Sequence, residues 1–144
     1  MNDTPMTAKE YLSQAYRIDQ RINAKLEQVE RLRALTRKAT VSYGGETVSH
    51  TRNVSALEDS ILRLMEAENE LNGEIDRLVD LKRDIHRLLQ RVREPELQLL
   101  LELRYLCFKS WSEIAVTMEY DDRYVYKVHG RALREVEKIL SDGQ

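Results

Sequence analysis

LEDSILRLMEAENELNGEIDRLVDLKRDIHRLLQRV, residues 57–92, decides the fold of this chain. Positions 57, 61, 64, 68, 71, 75, 78, 82, 85, 89 and 92 alternate steps of four and three, and they hold Leu57, Ile61, Leu64, Glu68, Leu71, Ile75, Leu78, Lys82, Ile85, Leu89 and Val92. Steps of that size return each side chain to the same stripe of an α-helix, and five heptads of them make a coiled-coil seam. Met65, Val79, Leu81 and Leu88 widen the stripe and predict contact with more than one neighbouring helix. Glu68 and Lys82 interrupt it; either they select register and partner orientation, or they lie at a rim with their stems packed and their charges in water. Upstream, Ser55-Ala56-Leu57-Glu58 has capping-box spacing and predicts the helix start.

Working towards the N-terminus, Thr7-Ala8-Lys9-Glu10 is another such box, and no Gly or Pro follows it until Gly44. A helix from Thr7 to Lys38 is predicted, with Tyr11, Ala15, Ile18, Ile22, Leu26, Val29, Leu32 and Leu35 on one stripe. Two helices of about 50 Å each, joined by a short connector, favour an antiparallel hairpin. Between them, Val41-Ser42-Tyr43 and Glu46-Thr47-Val48 flank Gly44-Gly45, so the segment Thr40 to Asn53 reads as a small β-hairpin or ordered loop, or as a flexible connector. Two helices leave much of the wide stripe wet. Burying a Leu or Ile is worth on the order of 1.5–3 kcal/mol, so a homodimer or higher homo-oligomer is expected.

Composition agrees with helix. Of 144 residues, 33% are charged and 42% hydrophobic, with only 5 Gly and 2 Pro. The net charge of −2 gives no global basic excess to attract nucleic acid. The single cysteine, Cys107, excludes an internal disulfide framework and is expected to be a buried packing residue. No stretch has the roughly 18 uncharged apolar residues of a membrane span, and no leader peptide is evident, so no membrane partner and a cytoplasmic location are expected.

At Glu94-Pro95 the pattern changes, because proline suits the first turn of a helix and not its interior. The seam helix is expected to end near Arg93, and three shorter helices follow: Pro95 to Phe108, Ser110 to Met118, and Asp122 to Leu140. Ser110-Trp111-Ser112-Glu113 caps the second, and an acidic N-cap is expected for the third. A short helix, a tight turn and a longer helix form a helix-turn-helix candidate. Small Ala115 sits where the two helices must cross closely. Val125 lies ten residues on, where the second helix packs inward, and Ile114, Met118, Tyr120 and Val128 fill the remaining core positions. The turn position four residues after Ala115, which favours φ > 0 and therefore Gly, is Glu119; a non-Gly residue there costs about 1 kcal/mol.

These residues carry a resemblance. Leu103-Arg104-Tyr105, Trp111-Ser112-Glu113-Ile114-Ala115, Val125-Tyr126-Lys127-Val128 and Ala132-Leu133 resemble the region-four helix-turn-helix of bacterial sigma factors. With the coiled-coil half in front, the whole chain is similar to small phage-encoded transcriptional regulators of the ArpU/RinA late-activator type. The matched part runs from Glu96 to Leu140, and the first 93 residues match only in helical character. The resemblance implies binding to double-stranded promoter DNA, with RNA polymerase as a further partner, in a phage or prophage.

The last helix supports the same reading by itself. With Val125, Val128 and Ala132 inward, Arg123, Tyr124, Tyr126, Lys127, Gly130, Arg131 and Arg134 fall wholly or partly outside. Arg and Lys neutralise phosphate or bridge guanine O6 and N7, tyrosine hydroxyls bind phosphate, and Gly130 leaves room for close backbone approach. Five basic and two acidic residues lie between Arg123 and Lys138, whereas Glu94 to Asp142 as a whole holds seven basic against ten acidic. The charge is segregated onto one helix, with Glu96, Glu102, Glu113 and Glu119 expected to face solvent or a protein partner. A solvated face of an ordinary amphipathic helix is the alternative.

His50, His86 and His129 lie too far apart for a metal motif, Trp111 reads as an anchor between helices, and no catalytic constellation or cofactor loop is present in the sequence. The expected architecture is therefore all-α, a coiled-coil hairpin (residues 1–93) for oligomerisation and a helix-turn-helix domain (residues 94–144) for DNA. The expected function is a sequence-specific transcriptional regulator without enzymatic activity, metal or cofactor. A phage DNA-packaging small subunit and a protein-interaction adaptor are the alternatives.

Overall fold

Helical periodicity in the sequence becomes five helices in the computed structural model, which describes residues 6–43 and 50–143. They are α1 (Ala8–Tyr43), α2 (His50–Leu89), α3 (Pro95–Tyr105), α4 (Trp111–Met118) and α5 (Tyr124–Asp142). The described residues contain no strand, so the fold is all-α.

Four boundaries differ from expectation, the first being that α2 ends at Leu89 rather than near Arg93. α1 continues past Lys38 through Val41-Ser42-Tyr43, and α2 starts at His50, ahead of Ser55. The Val41-Ser42-Tyr43 flank is helix and not strand, because extending an existing helix by a turn is cheaper than nucleating a two-stranded ribbon; residues 44–49, which hold Gly44, Gly45 and the other flank, Glu46-Thr47-Val48, lie outside the described residues. Ser55 therefore sits inside α2 and starts nothing. α3 stops at Tyr105 because Phe108 takes a left-handed backbone (φ 57), which a helix cannot absorb.

The chain divides into two compact units. One is Ile18–Arg77. Within it Arg21 meets Glu74 at 3.5 Å and Lys25 meets Glu70 at 2.9 Å, so α1 and α2 run antiparallel there. Ile18, Ile22, Val29 and Leu71 are buried between them. Of the seam residues in this unit, Leu57 and Leu64 are half-buried while Ile61 and Ile75 are exposed, because a single partner helix covers one flank of the stripe. Glu68 is accounted for by Arg33, whose guanidinium lies 3.9 Å from its carboxylate.

The other unit is Met1–Arg17 with Leu78–Gln144, a grouping that does not coincide with a division at residue 93. Its core joins Ala8, Leu12 and Ala15 of α1, Ile85, Leu88 and Leu89 of α2, Leu97, Leu100, Leu101 and Tyr105 of α3, Ile114 and Ala115 of α4, and Val125, Val128, Ala132 and Val136 of α5. The Ala8 N–H donates to the Glu137 carboxylate at 2.7 Å and ties the start of α1 to α5. Lys82, the second polar seam residue, places its ammonium 4.6 Å from the centroid of the Phe108 ring. That cation–π contact gives its charge a partner in a half-buried position.

Candidate nucleic-acid interface

α4 is fixed at both ends by its own sequence. Ser110 Oγ accepts the Glu113 N–H at 3.2 Å and the Glu113 carboxylate accepts the Ser110 N–H at 3.1 Å, a complete capping box. Those two bonds with Ser110 hold the Glu113 carboxyl below its ordinary pKa. At the other end Glu119 is left-handed (φ 58, ψ 43), and the Tyr120 N–H reaches back to the Ala115 carbonyl at 2.8 Å. The turn thus takes the conformation that its place after Ala115 requires, without glycine. Ala115 is 3% exposed, small enough for the helices to meet.

The turn into α5 departs from expectation at its cap. Asp122 does not cap; Arg123 is the N-cap, with helical backbone and no side-chain bond. Asp121 serves instead, its carboxylate accepting the Arg123 N–H and its carbonyl the Val125 N–H, both at 3.2 Å. Val125, Val128, Ala132 and Val136 are then buried, each at 1% exposure or less.

That registration leaves Arg123, Tyr124, Tyr126, Lys127, Arg131 and Arg134 exposed on α5, with Gly130 half-buried. Among the described residues Arg123, Lys127 and Arg134 make no ion pair. Arg131 does: its guanidinium lies 3.2 Å from the Glu94 carboxylate. Both partners are about half exposed, so the pair is worth little, about 0–1 kcal/mol, and a phosphate can compete for the arginine. A Cβ on Gly130 would meet only the Arg134 guanidinium, at 3.8 Å, so this glycine is not demanded by packing.

The tyrosines are restrained by other rings. Tyr126 packs at 5.4 Å against Trp111, and Tyr124 stands edge-on to Tyr120 at 4.9 Å. The Tyr120 hydroxyl donates to the Glu96 carboxylate, which turns one acidic residue of α3 to a structural use.

Beneath this face lies a pair that sequence reading missed. His129 is buried, and its Nε2 lies 2.6 Å from the Tyr105 hydroxyl. Burial first, then the nearby Lys9 and Arg104 charges, pushes its pKa down to about 4, while burial pushes Tyr105 up to about 12. A neutral imidazole accepting from a phenol satisfies both groups. The available signal was position, since His129 directly follows inward Val128. Trp111 contacts the same imidazole at 4.4 Å and carries the Arg104 guanidinium over its ring at 4.3 Å, the interhelical anchor expected of it. Cys107 is exposed, contrary to expectation, because the bend at Phe108 sends the phenyl ring inward in its place.

Comparison with family models, curated proteins and solved structures finds no match for the chain. The likeness to sigma region four rests on the quoted residues alone. Among the described residues no cluster of His, Cys, Asp or Glu has the arrangement of a metal site, and no helix is long and apolar enough to cross a membrane.

Proposed function

We propose that this chain is a sequence-specific regulator of transcription that binds double-stranded DNA through α4 and α5, with α5 as the recognition helix. The observation that carries the reading is the separation of faces on α5: Val125, Val128, Ala132 and Val136 are buried, while Arg123, Lys127, Arg131 and Arg134 lie on the outside. A helix held by a capped, tightly turned neighbour and bearing one exposed cationic ridge suits entry into a major groove. Sigma-like activation in a phage or prophage, beside RNA polymerase, is supported by the resemblance of residues 96–140.

The reading includes self-association through Ile18–Arg77. Leu26, Leu35, Ile61, Leu62, Met65 and Ile75 are all exposed there, although Leu26, Leu35, Ile61 and Ile75 belong to the predicted apolar stripes. A second copy covers the open flank of such a seam, and two linked recognition helices bind one DNA far more tightly than either alone.

The test is selection of bound fragments from random DNA at near-physiological salt, followed by titration of the enriched site. Lys127→Ala is expected to lower the slope of log affinity against log salt by about 0.9. Stability should stay within about 0.5 kcal/mol of the parent, because Lys127 is exposed and unpaired among the described residues. No enriched motif, or an unchanged slope, overturns the assignment. A sedimentation mass corresponding to a ring would instead favour the DNA-packaging alternative.

A further inference from the structure

A cavity of about 330 Å³ opens between the first turns of α1, the end of α3 and the start of α4, entirely within the unit that carries α5. Its walls are aromatic: Tyr16, Phe108 and Trp111 line it, and Tyr16 meets Phe108 edge-on at 5.7 Å. Its charge is cationic. Lys9 and Arg104 both line it, and neither has a carboxylate partner among the described residues. Arg104 is oriented, its guanidinium stacked 4.3 Å from the Trp111 ring and donating to the Lys109 carbonyl at 3.0 Å. The one carboxylate in the lining, Glu113, is already engaged by the Ser110 N–H and lies 3.9 Å from the Lys109 ammonium.

Flat apolar walls with two convergent, uncompensated cations match one chemical class, a planar ring bearing an anion. The volume lies at the lower end of ordinary small-molecule sites. We propose that this cavity is a binding site for a small aromatic carboxylate, its ring between the aromatic walls and its carboxylate on Arg104 and Lys9. A guanidinium already held by a stacked ring and a carbonyl loses little freedom on meeting a carboxylate. Burial first, then the Lys9 and Arg104 charges, lowers the pKa of His129, which packs against Trp111 beside the cavity. Trp111 also touches Tyr126 on the outer side of α5, so an occupant that shifts the indole is felt at the recognition helix; this regulatory consequence rests on the DNA-binding reading.

Trp111 is the only tryptophan of the chain, so its fluorescence reports the cavity directly. The full chain is titrated with phenylacetate and, separately, with neutral phenylacetamide, exciting indole selectively. The expected result is a saturable change with phenylacetate, at least tenfold weaker for the amide, which is about 1.4 kcal/mol. Lys9→Gln, an exposed substitution with no packing role, is expected to weaken phenylacetate binding several-fold and leave amide binding unchanged; Arg104→Gln should weaken it further. Equal binding of acid and amide, no saturation with phenylacetate, or indifference to both substitutions overturns the proposal. A chain that binds phenylacetate in this way yet enriches no DNA motif keeps the ligand site and loses the DNA-binding reading. A chain that enriches a motif but shows no saturable acid binding does the reverse.

Discussion

Glu94 holds one of the four arginines and lysines of the α5 ridge, and releasing that residue is the sharpest test of how the ridge works. The Arg131 guanidinium lies 3.2 Å from the Glu94 carboxylate, with side chains 46% and 54% exposed. An exposed pair of this kind is worth about 0.2–1 kcal/mol, and DNA binding must give that up to place Arg131 on a phosphate or base. Glu94→Gln removes the competitor while leaving the backbone cap of α3 in place, since the Glu94 side chain makes no capping hydrogen bond. The variant is expected to bind the selected site about 1.4-fold to 5-fold more tightly by fluorescence anisotropy at fixed salt. Loss of one negative charge also raises affinity nonspecifically, so the same substitution is made in an Arg131→Ala background, where the pair is already gone. Most of the gain should vanish there. Undiminished gain in that background, or none in the parent, means that Arg131 does not meet DNA and the ridge is wrongly drawn at that residue.

Other consequences concern stability. His129 has its pKa pushed down to about 4 from an ordinary 6.5, so the unfolded chain binds its proton more readily. Its stabilising neutral form is fully present above pH 6.5, and about 2–3 kcal/mol should be lost as pH falls from 6.5 to 4. Urea unfolding should show this loss in the parent and a flatter profile in the double variant Tyr105→Phe/His129→Leu; equal slopes would remove His129 from the account. Glu119→Gly relieves a left-handed residue and should raise stability by about 0.5–1 kcal/mol, whereas a fall would mean that the Glu119 side chain contributes something beyond the turn. Ser110→Ala deletes one half of the α4 capping box and should cost about 1 kcal/mol, read from the same unfolding curves.

Much of the last three helices was readable because local chemistry and packing agree there. The Ser110–Glu113 box, small Ala115, the left-handed turn at Glu119 and the inward Val125, Val128 and Ala132 are each short-range signals, and each appears where its spacing put it. Around the connector, glycines and β-branched residues suggest a ribbon, whereas helix cooperativity carries α1 through Val41-Ser42-Tyr43, and α2 is already helical at His50. Lys82 and Glu68 were recognisable as exceptions in the seam, but not their partners Phe108 and Arg33, which are distant in sequence. The same distance hid the Tyr105–His129 bond and the cavity walled by Lys9, Arg104 and Trp111. Of the proposed DNA-facing residues, α5 periodicity was enough to place Arg123, Lys127 and Arg134 outside; only the coordinates reveal that Arg131 shares its charge with Glu94.

The hydrogen bond from Ala8 to Glu137 joins residues 129 positions apart, and Leu12 and Ala15 are sealed within the same core as Val125 and Val136. A recombinant fragment beginning at residue 94 would therefore lack part of its own interior, and a dissected version has to retain the opening turns and the end of α2. Translation meets the same constraint in time. The opening turns of α1 are made well before α5, so the part of this core that needs Val125 and Val136 can close only once α5 has been made.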